Sequence, residues 1–88
     1  MRLPAFLALA TALNAAEPDP QALLGQAQQA FQKGERKEAI ALMNKAVAAA
    51  PENAGAHFLR ARMLDEMRDF TAATKDYSEV IRLAPKIP

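Results

Sequence analysis

The chain has 88 residues, a net charge of +1, one histidine and no cysteine. A chain of this length forms one small domain, and its composition excludes disulfides, thiolate metal sites and histidine clusters. Basic and acidic residues interleave, so there is no concentrated basic patch for the phosphates of a nucleic acid. Alanine and glutamine are abundant and aromatic residues few, which suits closely packed helices better than a sheet.

The chain opens "MRLPAFLALATALNAA". Arg2 is followed by an apolar run from Leu3 to Leu13, then by small residues and the polar "EPDP". This order is that of a secretory signal peptide, residues 1–16, cleaved after Ala16 or, alternatively, after Ala12. The run is shorter than the ~20 residues a membrane-spanning helix needs. No cysteine follows it, which excludes the lipid-anchored form. Loss of Arg2 leaves ten basic and ten acidic residues, a formally neutral mature chain. Export to a bacterial periplasm or to the medium, with no membrane association after cleavage, is the expected localisation.

Residues 17–19 read as a linker. Asp19-Pro20 predicts a helix start, with Asp19 as N-cap and Pro20 at the first helical position, where its missing N–H is not needed. Residues 20–33 carry Leu23, Ala27, Ala30 and Phe31 at helical spacing, and Gly34 offers a left-handed stop. A second helix is predicted from Arg36 to Ala50, with Ala39, Ile40, Met43, Ala46 and Val47 on one face and Pro51 at its end. Asn53 caps a third helix over 54–67, with Phe58, Ala61 and Leu64 as its apolar series. Asp69 caps a fourth over 70–83, which presents Phe70, Ala73, Tyr77, Val80 and Ile81 before Pro85.

The two helix pairs superimpose at an offset of 34 residues. Pro51 meets Pro85, Ala27 meets Ala61, Ala39 meets Ala73, and Ala50 meets Ala84. Leu24 pairs with Phe58, Met43 with Tyr77, Val47 with Ile81, and Glu35 with Asp69. A fixed period of this length marks a repeat array. Ala27, Ala39, Ala61 and Ala73 let paired helices approach closely, and a large side chain at any of them would cost about 1–3 kcal/mol in overpacking.

These residues resemble the tetratricopeptide repeat (TPR) family. Its pattern is a helix pair of this period with small residues at Ala27/Ala61 and Ala39/Ala73. A large residue follows at Met43/Tyr77, a small or apolar one at Ala46/Val80, and a closing proline at Pro51/Pro85. The segment "GERKEAIALMNKAVAAAPEN" is the strongest local match. The departures lie in the first helices. The usual aromatic is Leu23 or His57, the usual Leu-Gly pair is Gln26-Ala27 or Arg60-Ala61, and the next large residue is Ala30 or Leu64. The resemblance implies an all-α fold: four helices after the signal peptide, arranged as two antiparallel helix-turn-helix repeats, residues 20–53 and 54–87, stacked as a short α-solenoid.

Catalytic equipment is sparse. Ser78 is the single serine. A Ser-His-Asp set would need Ser78, His57 and one of Asp65, Asp69 or Asp76, and no spacing favours it. His57 reads as a partly buried packing residue. The carboxylates show no calcium or magnesium pattern, and no glycine-rich phosphate loop is present. No enzymatic activity, metal or cofactor is expected. The resemblance implies instead a protein or peptide partner held on the concave side lined by the first helices. The family's groove positions fall on Gln21, Leu24, Gln28 and Phe31, and on Gly55, Phe58, Arg62 and Asp65. The alternative is that Leu24, Phe31 and Phe58 only cover the seam between helices. The subtype that clamps acidic chaperone tails carries Lys and Asn where this chain has Leu24 and Gln28, so the resemblance stops short of it.

Two further readings follow from the small number of repeats, since arrays usually stack about three or more. The chain would be an assembly adaptor, or an accessory piece of a longer array or of a catalytic protein. In either case it would self-associate or continue through the face of Tyr77, Val80 and Ile81.

Overall fold

The computed structural model describes residues 19–84. The expected signal peptide, residues 1–16, and the closing Pro85 lie outside them. The described chain forms four helices: α1 (Pro20–Gln32), α2 (Arg36–Ala49), α3 (Ala54–Glu66) and α4 (Phe70–Leu83). α1 packs along α2 and α3 along α4, and α2 packs against α3 to join the two hairpins. The fold is an all-α, TPR-like solenoid, and no strand occurs among the described residues.

Local chemistry sets each boundary. α1 starts on Pro20, whose fixed φ suits the first helical position. The expected Asp19 side-chain cap does not form. The Asp19 carbonyl instead accepts from the Leu23 N–H at 3.1 Å, so the main chain starts the helix. The caps of the second hairpin do form. Asn53 Oδ1 accepts from the Ala56 N–H at 3.2 Å, and Asp69 Oδ1 from the Ala72 N–H at 3.3 Å. Glu35, the counterpart of Asp69, makes no such bond, because its longer side chain is a poor N-cap.

Both hairpin turns use the same device. After α1 the Glu35 N–H reaches the Ala30 carbonyl at 2.9 Å and the Gly34 N–H the Phe31 carbonyl at 3.0 Å. After α3 the Asp69 N–H reaches Leu64 at 2.9 Å and the Arg68 N–H reaches Asp65 at 2.9 Å. This pairing satisfies the orphan carbonyls of a helix end and needs a left-handed residue in the middle. Gly34 supplies it at φ 87° without a Cβ, whereas Arg68 adopts φ 67° with one. Between the hairpins Ala50 leaves the helical region at φ −141° and ψ 73°, since the residue before a proline is disfavoured there, and Pro51 cannot continue α2.

The core is built mostly of alanine. Ala27, Ala39 and Ala61 are fully buried and Ala73 nearly so. Met43 is the one large side chain wholly removed from solvent among the described residues. It sits in a cluster with Ala27, Ala30, Ala39, Ala56 and Met63, which spans both hairpins. Leu24, Phe31, Ile40, Val47 and Leu59 pack half-buried around that cluster.

The second hairpin is less covered than its apolar pattern suggests. On α4 only Ala73 of the expected apolar series is buried. Phe70 is 54% exposed and Ile81 71%. On α3 Phe58 is 46% exposed, while Ala56, His57 and Met63 take buried positions that the predicted series did not include.

Candidate binding cleft and the polar joint

A cleft of about 480 Å³ opens between α1 and α3. Phe31, Leu59 and Met63 give it an apolar floor. Gln28, Gln32, Arg36, Arg62 and Glu66 supply polar and charged walls. The helices place these residues by simple periodicity: Gln28, Phe31 and Gln32 share one face of α1, and Leu59, Arg62, Met63 and Glu66 share one face of α3. Arg36 comes from the first turn of α2, with its guanidinium carbon 4.9 Å from the centre of the Phe31 ring, a cation–π stack. That stack holds one cation at the rim while its remaining N–H groups stay available. Arg62 is exposed and makes no ion pair among the described residues.

Three of the groove positions read from the sequence, Gln28, Phe31 and Arg62, meet in this cleft. Gln21 and Asp65 are exposed and line no part of it. Gly55 is exposed at the start of α3. Leu24 is half-buried against the core cluster. Phe58 lies elsewhere, edge-on to Tyr77 with ring centres 6.0 Å apart and planes at 62°. Gln32, Arg36, Leu59, Met63 and Glu66 were not anticipated. The offset of 34 pairs Leu59 with Gly25 and Met63 with Gln29, so self-comparison gives them no signal.

A second polar feature lies at the joint. His57 is 6% exposed, with more than a packing role. Its Nδ1 bonds Asp76 Oδ1 at 3.1 Å and its Nε2 bonds the Pro51 carbonyl at 2.9 Å. Both partners are oxygen acceptors, so the imidazolium donates both bonds and a neutral ring only one. Arg60 donates to the same carboxylate from Nε at 2.7 Å and from a terminal nitrogen at 2.8 Å. Its other terminal nitrogen donates to Asn44 Oδ1 on α2 at 2.9 Å. No buried side-chain nitrogen or oxygen lacks a partner among the described residues.

Burial pushes the Asp76 carboxyl upward. The hydrogen bonds from Arg60 and then His57, together with their charges, outweigh that and hold it below the usual carboxylate range. The Asp76 hydrogen bond in turn raises the Arg60 guanidinium. His57 beside Asp76 resembles half of an acid–base relay. Its Nε2, however, is bonded to a main-chain carbonyl, where a relay would present it to a hydroxyl. Among the described residues no His/Asp/Glu group is arranged to hold a metal, and no helix is long and apolar enough to cross a membrane.

Hairpins of this period and packing define a helical-repeat scaffold. The family model described as Tetratricopeptide repeat matches residues 5–54 and 24–88, and the chain belongs to that family. Such repeats generally mediate protein–protein contacts. No curated protein matches the chain. The match begins at residue 5, within the segment that also reads as a signal peptide. At the offset of 34, Ala5, Leu9, Ala12 and Ala16 align with Ala39, Met43, Ala46 and Ala50, so these residues carry the pattern of a second helix as well.

Proposed function

We propose that the chain is a non-enzymatic peptide-binding module that grips its partner in the α1–α3 cleft. The observation that carries this reading is the combination of an apolar floor, Phe31, Leu59 and Met63, with two cations at the walls, Arg36 and Arg62. A floor of that kind accepts one apolar side chain. Two guanidiniums beside it favour a carboxylate next to that side chain, since Arg matches carboxylates bidentately. Glu66, which lines the same cleft, disfavours a partner with acids along its whole length. The ligand class is therefore a short peptide with an apolar residue flanked by one acid.

A peptide array probed with the full chain tests this. Peptides pairing Leu or Phe with an adjacent Asp or Glu should be selected. Arg62→Glu should weaken their binding about tenfold or more, as expected for a charge-assisted contact worth ~1.5–3 kcal/mol. Identical selection by the wild type and by Arg62→Glu would dismiss the reading.

Export of the module rests on residues 1–16 as a signal peptide. Sequencing the N-terminus of protein from an expressing culture decides it. A chain beginning at Glu17 in the periplasm or medium supports export. An intact, cell-retained N-terminus assigns the segment to the repeat array instead, as the family match from residue 5 favours.

A further inference from the structure

The hairpins are related by a shift of 34 residues, so each surface of the first has a counterpart on the second. In the first hairpin Leu24, Met43 and Val47 form the face that α3 covers; Met43 is wholly buried and the other two half-buried. α3 covers it with Ala56, Leu59 and Met63, a stripe of the form Ala-x-x-Leu-x-x-x-Met. The counterpart face on the second hairpin is Phe58, Tyr77 and Ile81. Phe58 and Ile81 are 46% and 71% exposed, and Phe58 and Tyr77 stack edge-on. Among the described residues nothing takes the place of α3 over them.

The same shift predicts the charge of a helix seated on this face. Arg62 and Glu66 of α3 face Phe31 and Gln32 across the cleft. On the second hairpin those two positions are Asp65 and Glu66, both exposed acids. A helix seated there would meet two carboxylates beside its Arg62-like position, which calls for a basic residue.

We propose that the Phe58–Tyr77–Ile81 face is a docking site for an amphipathic helix of a partner protein, one that presents an Ala-x-x-Leu-x-x-x-Met stripe and a basic end over Asp65 and Glu66. The face shares only Glu66 with the α1–α3 cleft, and the inference does not depend on the peptide reading. A second copy of the chain fits the face poorly. Its α1 would bring Ala22, Gly25 and Gln29 in place of Ala56, Leu59 and Met63, and uncharged Gln28 and Gln32 in place of Arg62 and Glu66. That surface offers no large apolar side chain and no cation.

The probe is a labelled synthetic peptide with the sequence of residues 54–66 carrying Asp65→Lys and Glu66→Lys, titrated with the full chain by fluorescence anisotropy. Saturable binding is expected. Ile81→Asp in the chain should weaken it at least tenfold while leaving the circular dichroism spectrum unchanged, because Ile81 is so exposed. Phe58→Ser should act in the same direction. Arg36→Glu, in the cleft, should leave it unchanged. Absence of binding overturns the proposal. So does binding insensitive to Ile81→Asp, which would mean that the peptide lodges in the cleft or displaces α3. Concentration-dependent dimerisation abolished by Ile81→Asp would assign the face to a second copy instead, and equally overturns it.

Discussion

Asp76→Leu alone should destabilise the chain by about 3–5 kcal/mol, the cost of removing one partner from a buried charge cluster. A domain of this size is stable by only about 5–10 kcal/mol, so this variant should be marginally folded at 25 °C. The cause is what stays behind. His57, 6% exposed, would lose the acceptor at Nδ1, and Arg60 would lose two of the three bonds that fix its guanidinium. The first hairpin supplies the remedy, because the positions equivalent to His57 and Asp76 there are Leu23 and Leu42. The double variant His57→Leu/Asp76→Leu should therefore recover most of the loss. Replacing both partners of a buried polar contact by apolar residues that fill the space is often neutral or stabilising. Arg60 keeps Asn44 and, at 22% side-chain exposure, can reach water. Urea unfolding of the three proteins, followed by circular dichroism, measures the cycle. A single variant costing under about 1 kcal/mol, or a double variant no better than the single, would show that the cluster is not a coupled unit.

The acid limb of the stability curve provides an independent check. A carboxyl held low in the folded state contributes stability that is fully present above its unfolded pKa of about 4. That contribution is lost as pH falls through the lower folded value. The wild type should thus lose stability below about pH 4 with proton uptake at Asp76, and the double variant should lose less there.

The part of the fold set by period and by small residues was legible in the sequence. Ala27, Ala39, Ala61 and Ala73 occur where helices must approach closely, and all four are buried. Gly34 and Asn53 announce a turn and a cap through their own backbone chemistry. What periodicity does not encode is which neighbour covers a face. Phe58 and Leu24 occupy equivalent positions, yet α3 covers the seam beside Leu24 and nothing described covers Phe58. Asp76 was illegible for another reason. A charge in a helical pattern reads as solvated, and only the three-dimensional meeting of His57 and Arg60 on it explains its burial. Both stand at positions where the first helix of the second repeat departs from the family pattern, so these two departures compensate one another. Arg68 gave no signal either: its left-handed backbone is imposed by the turn that Gly34 forms more easily. In the candidate cleft Gln28, Phe31 and Arg62 were readable as first-helix positions. Arg36 was not, because it reaches the site from the next helix.

Met43→Ala should cost about 4–5 kcal/mol, the upper end of the range for a buried methionine. The range depends on how far the surroundings can collapse, and here they cannot collapse far. Four of the five other buried members of its cluster are alanines on helices already in close contact, with no long side chain to swing into the space. Met63, the fifth, is 4% exposed and already packed. Because the cluster holds residues of α1, α2 and α3, the loss falls on the joint between hairpins as well as within the first. Tyr77→Ala, at the equivalent position of the second hairpin, is the control. Tyr77 is only half-buried, so its truncation should cost clearly less, on the order of 1–2 kcal/mol for partial loss of apolar burial. Met43→Leu conserves volume and should cost under about 1.5 kcal/mol. Urea midpoints of the three variants decide the point. Equal losses for Met43→Ala and Tyr77→Ala would mean that the two faces are equally covered in solution, and that a neighbour already occupies the face of Phe58, Tyr77 and Ile81.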